Sequence, residues 1–207
     1  MIEATSIQFI LFSYFVVFLS IAIHETFHGI AALSEGDPTP KLEGRITLNP
    51  LSHIDPFGTI IFPLFLFFIT LGQGPVIGWA KPVPVNPFFF RDKRKGIIKV
   101  SLAGPLSNFL IGVLFSLFCR FLPKNSPLFL PFQLITYYNF LLAFFNLLPI
   151  PPLDGFHLFF SLLPEKFSFI KIIFVRYSLL ILVFVIFFLL DFLAWFAQFL
   201  FSFLSGV

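Results

Sequence analysis

Long stretches of apolar residues dominate the chain. The first runs from Ile7 to about Leu33, a second from Ile97 to about Leu122, and a third from Phe132 to Leu148. Since about 20 consecutive apolar residues in a helix cross the hydrocarbon core of a bilayer, each stretch is predicted to be a transmembrane helix. A last stretch, Ile172 to Leu204, is long enough for one span or for a tight pair of helices. The pattern therefore predicts an all-α polytopic membrane protein with about five to six transmembrane segments.

Proline interrupts the remaining apolar stretches. Phe57 to Leu71 is short for a full crossing and contains Pro63, so we expect a re-entrant element whose two ends lie on one side of the membrane. The third span breaks at the prolines within residues 149–152, and the chain is apolar again from Asp154 to Leu163. Unwound backbone at membrane depth is tolerated only where it is buried in protein or lines a wet cavity. The proline break is therefore predicted to be unwound, and either buried in protein or lining a wet cavity.

The composition excludes an ordinary soluble domain. The 207 residues are 58% hydrophobic and 11% charged, and 36 of them are phenylalanine. The net charge of +3 comes from Lys and Arg in the loops. We interpret these cations as a signal of membrane topology, so no nucleic-acid partner is expected. The single cysteine, Cys119, excludes a disulfide within the chain and a cysteine-based zinc site. We expect residues 1–207 to form one integral membrane domain in the lipid bilayer, without an internal repeat or a cleaved signal peptide.

Basic residues predict how the chain is oriented. A Gly/Pro-rich loop runs from Gly72 to Pro87, and cations accumulate in it and just after it, at Lys81, Arg91, Lys93, Arg94, Lys95 and Lys99. The positive-inside tendency places this part of the chain in the cytoplasm. The second span then runs outward and the third returns, which brings Asp154 toward the cytoplasmic side. His24 lies about 15 Å from the end of its helix. It reaches a depth comparable to that of Asp154 if the first span ends on the cytoplasmic side.

The first span contains three ionisable residues, His24, Glu25 and His28. A charged side chain in hydrocarbon costs several kcal/mol unless it is paired, so such residues are interpreted as functional. Positions four apart share a helix face, so His24 and His28 can bind one metal ion. Glu25, about 100° round the helix, is placed to act as the general base for a metal-bound water. The alternative is a helix whose two histidines hydrogen-bond to neighbouring helices while Glu25 pairs with a lysine.

A third metal ligand is expected further along the chain, because a catalytic zinc takes three protein ligands and keeps a position for water. The candidate is Asp154, which follows the proline break. The alternative role for Asp154 is an ordinary helix N-cap. His157 could compete as the ligand, although a packing or hydrogen-bonding role is favoured for it.

Three segments resemble the signatures of the site-2 protease family of intramembrane zinc metalloproteases. They are His24 to His28, Gly104 to Asn108, and Asn146 to Gly155. Gly44 to Pro50 and Gly78 to Pro87 further resemble the short prokaryotic branch of this family, and no appended PDZ or CBS domain is expected. The likeness covers about residues 15 to 165, with the C-terminal membrane segments at 172–204 outside it.

The resemblance implies roles for the matched residues. His24, His28 and Asp154 would be the ligands of one Zn²⁺ ion, and Glu25 would be the base that activates water. Asn146 would hold the substrate or its oxyanion, and Asn108 would support the core. Family members often have a second glycine and a basic residue where this chain has Phe156 and His157. Gly104 is interpreted as a small residue that lets helices approach closely, and His53 as a turn histidine.

The activity so predicted is hydrolysis of peptide bonds in or near the transmembrane segments of membrane-protein substrates. We expect a prokaryotic cell membrane location with the active site toward the cytoplasm. The loop between residues 39 and 90 is a candidate gate, or an edge on which an unwound substrate pairs as an added strand. One alternative is a metal or proton transporter, which would usually carry polar residues along a whole pathway. Another is a non-catalytic scaffold of the same fold, which would not need Glu25.

Overall fold

The computed structural model of the protein describes residues 7–71 and 78–206. Within these ranges the regular elements are all helical and no strand is present, which confirms the all-α prediction. The expectations for the first six residues and for positions 72–77 of the Gly/Pro-rich loop lie outside the described residues.

The helices of the described residues follow the apolar pattern closely in the first three quarters of the chain. In order they are α1 Ile7–Glu35, α2 Thr39–Leu42, α3 Phe62–Ile69, α4 Lys93–Phe121, α5 Phe129–Asn146, α6 Asp154–Leu162, α7 Ser168–Arg176, α8 Ser178–Phe188 and α9 Leu190–Ser205. A π-helical stretch, Pro56–Ile61, leads directly into α3. Short 3₁₀ turns lie at Pro50–His53, Pro87–Phe89 and Glu165–Phe167.

Two of these helices, α1 and α4, are long and apolar enough to cross a membrane, with mean hydropathies of 2.1 and 1.8. They are the first two predicted spans. Helix α5 corresponds to the third predicted span, although Gln133, Thr136 and Asn139 make it less apolar. With the apolar helices α8 and α9 beside them, these elements make the chain an integral membrane protein.

The C-terminal apolar stretch differs from the prediction of one span or a pair. It forms α7, α8 and α9, with a bend of 70° between α7 and α8 and a second break at Leu189. The first of them, α7, begins at Ser168, four residues before the apolar stretch itself.

Packing explains where these C-terminal helices end. Helix α8 places Val185 against Ile150 and Leu153, and so covers the proline break. Helix α9 instead packs Phe201 against Cys119 of α4 and the start of α5. Because the two helices dock on different partners, the chain must turn between them, although its sequence stays apolar throughout.

Polar side chains are buried among apolar ones in the centre of the bundle, and the outer surface is apolar. Helices α1, α4 and α5 pack against one another, and Asn108, Ser116 and Thr136 are fully buried between them. Large apolar side chains such as Ile10 and Phe118 are exposed on the outside. This distribution suits lipid, where an apolar side chain needs no protein cover and helices associate through small and polar residues.

The chain returns beside the start of the short element that was expected to re-enter the membrane. The N–H of Trp79 donates to the carbonyl of Gly58 at 3.1 Å, and the N–H of Lys81 donates to the carbonyl of His53 at 2.9 Å. Gly58 leaves the space that the Trp79 ring fills, since a Cβ there would lie 2.3 Å from the indole. Residues 79–81 therefore lie against residues 53–58, which lead into the π-helix and form its start.

Candidate metal centre

Three side-chain atoms from α1 and α6 converge on one point. The Nε2 atoms of His24 and His28 are 2.9 Å apart, and Asp154 Oδ2 lies 3.0 Å from the first and 3.2 Å from the second. Ligand atoms about 2.0–2.1 Å from a tetrahedral zinc ion lie about 3.3 Å from one another. Two imidazoles and one carboxylate at these separations fit zinc. The structure thus brings together all three residues that the sequence analysis named as ligands.

Helix α4 provides the space in which these atoms meet. His24 and His28 are one turn apart on α1, and both are buried, at 6% and 7% exposure. Gly104 of α4 faces them directly, because a Cβ at this position would lie 2.5 Å from both Nε2 atoms. Because residue 104 has no side chain, the position that an ion would occupy stays free of protein atoms.

The proline break places Asp154 at the start of α6. Asp154 is the first residue of this helix, and the residue before it makes no side-chain cap, so the helix-cap alternative is not what the structure shows. Gly155 allows the close approach of the break, since a Cβ there would lie 2.1 Å from the carbonyl oxygen of Leu147. Arg94 of α4 holds the other end of α6 by donating to its last two carbonyls at 2.7 and 3.0 Å.

The second ring nitrogen of each histidine is hydrogen-bonded to an oxygen. His24 Nδ1 donates to Asn108 Oδ1 at 2.6 Å, and His28 Nδ1 donates to the carbonyl of Val100 at 2.8 Å. Since a carbonyl oxygen only accepts, Nδ1 carries the hydrogen and Nε2 keeps its lone pair. This is the usual arrangement of histidines that bind metals. The alternative of histidines that only bond to neighbouring helices does not account for their convergence with Asp154.

Sequence reasoning assigned no role to Asn139, which hydrogen-bonds to Asn108 from α5. A signal for it was present, because an amide inside an apolar span is uncommon and usually has a function. Its partners could not be read from the sequence, since they lie on α1 and α4.

Glu25 lies beside the three converging atoms and bonds elsewhere. One ligand atom from each of His24, Glu25 and His28 lies within 4.8 Å of the others, and Glu25 Oε2 accepts the backbone N–H of Val83 at 2.7 Å. Val83 belongs to the irregular segment 78–86. The lysine partner of the alternative interpretation does not occur among the ion pairs of residues 7–71 and 78–206. Glu25 is therefore close enough to exchange a proton with a molecule held at the three donors.

A cavity of about 420 Å³ adjoins the metal centre. It is lined by the three donors and Glu25, by Val83 and Val85 of the irregular segment, and by Asn146 and His157. Asn146 Nδ2 donates to the carbonyl of Leu142 at 3.0 Å, which leaves its second N–H for a ligand. His157 also lines this cavity.

The loop wall of the cavity is held by a buried arginine. Arg45, 7% exposed, donates to the carbonyls of Lys81 and Pro82 at 2.8 and 3.1 Å. His53 lies nearby in a 3₁₀ turn, fully buried, with its Nε2 3.0 Å from the carbonyl of Thr47. It is thus a turn histidine, as interpreted from the sequence. Arg45 was not singled out there, and it fixes the segment that supplies the Val83 N–H.

The curated relatives match between 43% and 70% of the chain. The chain is 39% identical over 155 residues to YwhC of Bacillus subtilis (strain 168), which is named as a zinc metalloprotease. The matched region is 70% of this chain and 66% of YwhC. Rip2 of Mycobacterium tuberculosis, also named as a zinc metalloprotease, is 31% identical over 140 residues, or 67% of the chain and 52% of the relative. Zinc metalloprotease MJ0392 of Methanocaldococcus jannaschii is 28% identical over 91 residues, or 43% of the chain and 27% of the relative.

The chain spans between about half and two thirds of the length of the first two relatives. The profile of Peptidase family M50 matches residues 122–190, which include α5, the proline break and Asp154. No solved structure matches the chain. The relatives and the family profile agree with the site-2 protease signatures and confirm the resemblance found in the sequence. The chain belongs to Peptidase family M50, the family of the site-2 proteases.

Proposed function

We propose that the protein is an intramembrane zinc metalloprotease that hydrolyses peptide bonds in or near the transmembrane segments of membrane proteins. The observation that carries this proposal is the convergence of His24, His28 and Asp154 beside Glu25, inside a bundle of membrane helices. The names of YwhC and Rip2 as zinc metalloproteases support the activity.

The donor residues and Glu25 have separate tasks in this reaction. His24, His28 and Asp154 would hold the zinc ion, which makes a bound water more acidic and polarises the carbonyl that is attacked. Glu25 takes a proton from the attacking water and returns it to the leaving amine nitrogen. The free N–H of Asn146 donates to the carbonyl oxygen as negative charge develops on it.

The irregular segment 78–86 forms the wall along which a substrate would lie. A transmembrane helix has to unwind locally before its carbonyl can be attacked, since all its backbone groups are hydrogen-bonded. Segment 78–86 borders the cavity through Val83 and Val85, and an unwound peptide can pair with it as an added strand. The proposed substrates are therefore transmembrane proteins or peptides with a segment that unwinds easily.

The location and orientation follow from charge. The loop cations that precede and begin α4, from Lys81 to Lys99, favour the cytoplasm for that end of the helix by the positive-inside tendency. The cavity extends to Phe90 and Ile97 beside the same end of α4. The proposed site therefore faces the cytoplasmic side of a prokaryotic cell membrane.

Replacing the base tests the function. We expect Glu25→Gln to lower the cleavage rate about 10²–10⁴-fold, because the amide cannot take the proton, and to leave one zinc ion bound per chain. Cleavage would be followed by comparing membrane proteomes of cells that carry either form, and zinc by metal analysis of the purified protein. Glu43→Gln, the same change at an exposed position, is the matched control. Cleavage by Glu25→Gln at the wild-type rate would exclude the proposed chemistry, whereas transport without cleavage would favour the transporter.

A further inference from the structure

Buried amide side chains connect α5 to the metal donors. Asn139 of α5 contacts Asn108 of α4, and Asn108 contacts His24 of α1. Asn139 and Asn108 are 1% and 0% exposed. Polar groups buried this deeply are hydrogen-bonded in nearly all proteins, and here every donor of the two amides has a partner.

Two acceptors determine which way these amides point. Asn139 Nδ2 donates to the carbonyl of Ile135 at 2.8 Å, and Asn108 Nδ2 donates to the carbonyl of Ser20 at 3.1 Å. A backbone carbonyl has no hydrogen to give. In both amides the nitrogen must therefore face the carbonyl, and the oxygen must face the other way.

The remaining hydrogen bonds then have one possible direction. Asn108 Nδ2 also donates to Asn139 Oδ1 at 2.9 Å, and Asn108 Oδ1 accepts from His24 Nδ1 at 2.6 Å. Turning the Asn139 amide over would set its NH₂ group against that of Asn108 and its oxygen against the Ile135 carbonyl. The Ser20 carbonyl and Asn139 Oδ1 thus both hold the Asn108 nitrogen, and the Asn108 oxygen faces the ring of His24.

The two histidines differ in how their tautomer is fixed. The Nδ1 atom of His28 donates directly to the Val100 carbonyl at 2.8 Å, an acceptor that cannot reverse. His24 donates to an amide, which could present NH₂ instead of oxygen if it were free to turn. The tautomer of His24 therefore depends on the two acceptors that hold the Asn108 amide, the Ser20 carbonyl and Asn139 Oδ1, whereas that of His28 depends on no side chain.

We propose that Asn139 is a positioning residue for the metal centre. Without touching the donor atoms, it is the second acceptor, beside the Ser20 carbonyl, that holds the Asn108 amide in the orientation that gives His24 a hydrogen on Nδ1 and a lone pair on Nε2. This inference deepens the proposed function, since it concerns the same zinc site, but it can be measured without any substrate.

The test compares Asn139→Leu with Thr136→Val in the purified full-length protein. Thr136 lies one turn earlier on α5, is fully buried, and its hydroxyl has no hydrogen-bond partner among the described residues, so its replacement removes a buried polar group without affecting the amides. Loss of a hydrogen-bonding partner behind a metal ligand typically lowers metal affinity about 10–100-fold. We expect a loss in this range for Asn139→Leu and none for Thr136→Val, measured by chelator competition.

A second readout separates positioning from packing. In the zinc-free protein, ¹⁵N NMR of labelled histidine distinguishes a hydrogen on Nδ1 from one on Nε2. We expect Asn139→Leu to reduce the Nδ1–H form of His24 and leave that of His28 unchanged. If Asn139→Leu does not fold, Asn139→Asp is the second variant: its buried carboxyl stays protonated, donates to the Ile135 carbonyl and still accepts from Asn108, so it is expected to keep the Nδ1–H form of His24.

Wild-type zinc affinity together with an unchanged His24 tautomer in Asn139→Leu would overturn the proposal, as would loss of the Nδ1–H form in Asn139→Asp. A failure to detect proteolysis would count against the proposed function alone, because neither readout uses a substrate.

Discussion

At the scale of single residues, the metal centre depends on Gly104, which has no side chain to fill the space between the donors. Gly104 lies where a Cβ would be 2.5 Å from both donor nitrogens of α1. Real Cβ atoms do not approach other atoms so closely, and buried rings held by hydrogen bonds at Nδ1 cannot move aside without losing them. The glycine therefore serves the site more directly than the general need for close helix packing inferred from the sequence.

We predict that Gly104→Ala lowers zinc affinity at least about 100-fold, because the new methyl group displaces His24 and His28 from a common point. Zinc content and chelator competition would measure this loss. Gly112→Ala is the matched control on the same helix, where a Cβ would lie 2.5 Å from the Phe140 ring. We expect it to cost about 1–3 kcal/mol of stability through overpacking and to leave zinc affinity unchanged. Equal zinc affinity in both variants would contradict this role of Gly104.

The sequence predicts one part of the site well and another part poorly, for physical reasons. His24 and His28 share a face because helix geometry is local, so their spacing is sufficient to predict their pairing. Asp154 could be placed by depth, since the proline break and the basic loop constrain where α6 begins. The hydrogen bond from the Val83 N–H to Glu25 could not be predicted from the sequence. The donor is a backbone N–H in an irregular segment, and the sequence does not distinguish it from the backbone N–H of neighbouring residues.

At the scale of elements, the irregular segment 78–86 is fixed by the chain before it. The Arg45 guanidinium donates to the carbonyls of Ser52, Lys81 and Pro82, and so ties the loop after α2 to the wall of the cavity. Its planar fork reaches several carbonyls at once, which a lysine cannot do. The position of the Val83 N–H next to Glu25 therefore depends on a residue outside the cavity.

We predict that Arg45→Lys lowers the turnover rate about ten- to a hundredfold through misplacement of this wall, with zinc affinity unchanged. Hydrogen bonds from a charged donor contribute about 1.5–3 kcal/mol, so a stability loss of this order is expected as well. Turnover, zinc affinity and thermal unfolding would be measured together. Lys41→Ala, at an exposed position of α2, is the control and should change stability by less than about 0.5 kcal/mol. A loss of zinc in Arg45→Lys would show that the arginine supports the metal centre itself.

The sequence predicts the ends of helices that a local residue such as proline causes. It does not predict the ends that result from packing against other helices. The end of α5 and the start of α6 follow from the prolines within 149–152. The break at Leu189 follows from α8 and α9 docking on different parts of the bundle, at Val185 and Phe201 respectively. No proline or glycine marks that break, so the apolar run from Ile172 to Leu204 looked continuous.

At the scale of the whole molecule, the charge pattern and the two long helices together imply an orientation. Helix α4 begins in the basic cluster at Lys93 and ends before Lys124, and its length is sufficient to cross the membrane. The proposed arrangement puts its first residue in the cytoplasm and the loop after it outside.

We predict that cysteines introduced at the two ends of α4 react from opposite sides. Cys119 is 1% exposed, and Cys119→Ala gives a background without other thiols. In intact cells, Lys124→Cys should react with a membrane-impermeant maleimide, and Lys93→Cys, also exposed, should react only after permeabilisation. The reverse pattern would place the site on the outer side.

The distance along the chain between His24 and Asp154, 130 positions, has a consequence for the biogenesis of the protein. The chain is synthesised from its N-terminus, so both imidazoles enter the bilayer long before the carboxylate has been translated. A nascent chain that stops short of α6 has two of the three donors and cannot retain the ion firmly, because metal binding and completion of the fold are coupled. We therefore expect the nascent chain to lack the proposed hydrolytic activity until Asp154 has been translated and has joined the two histidines.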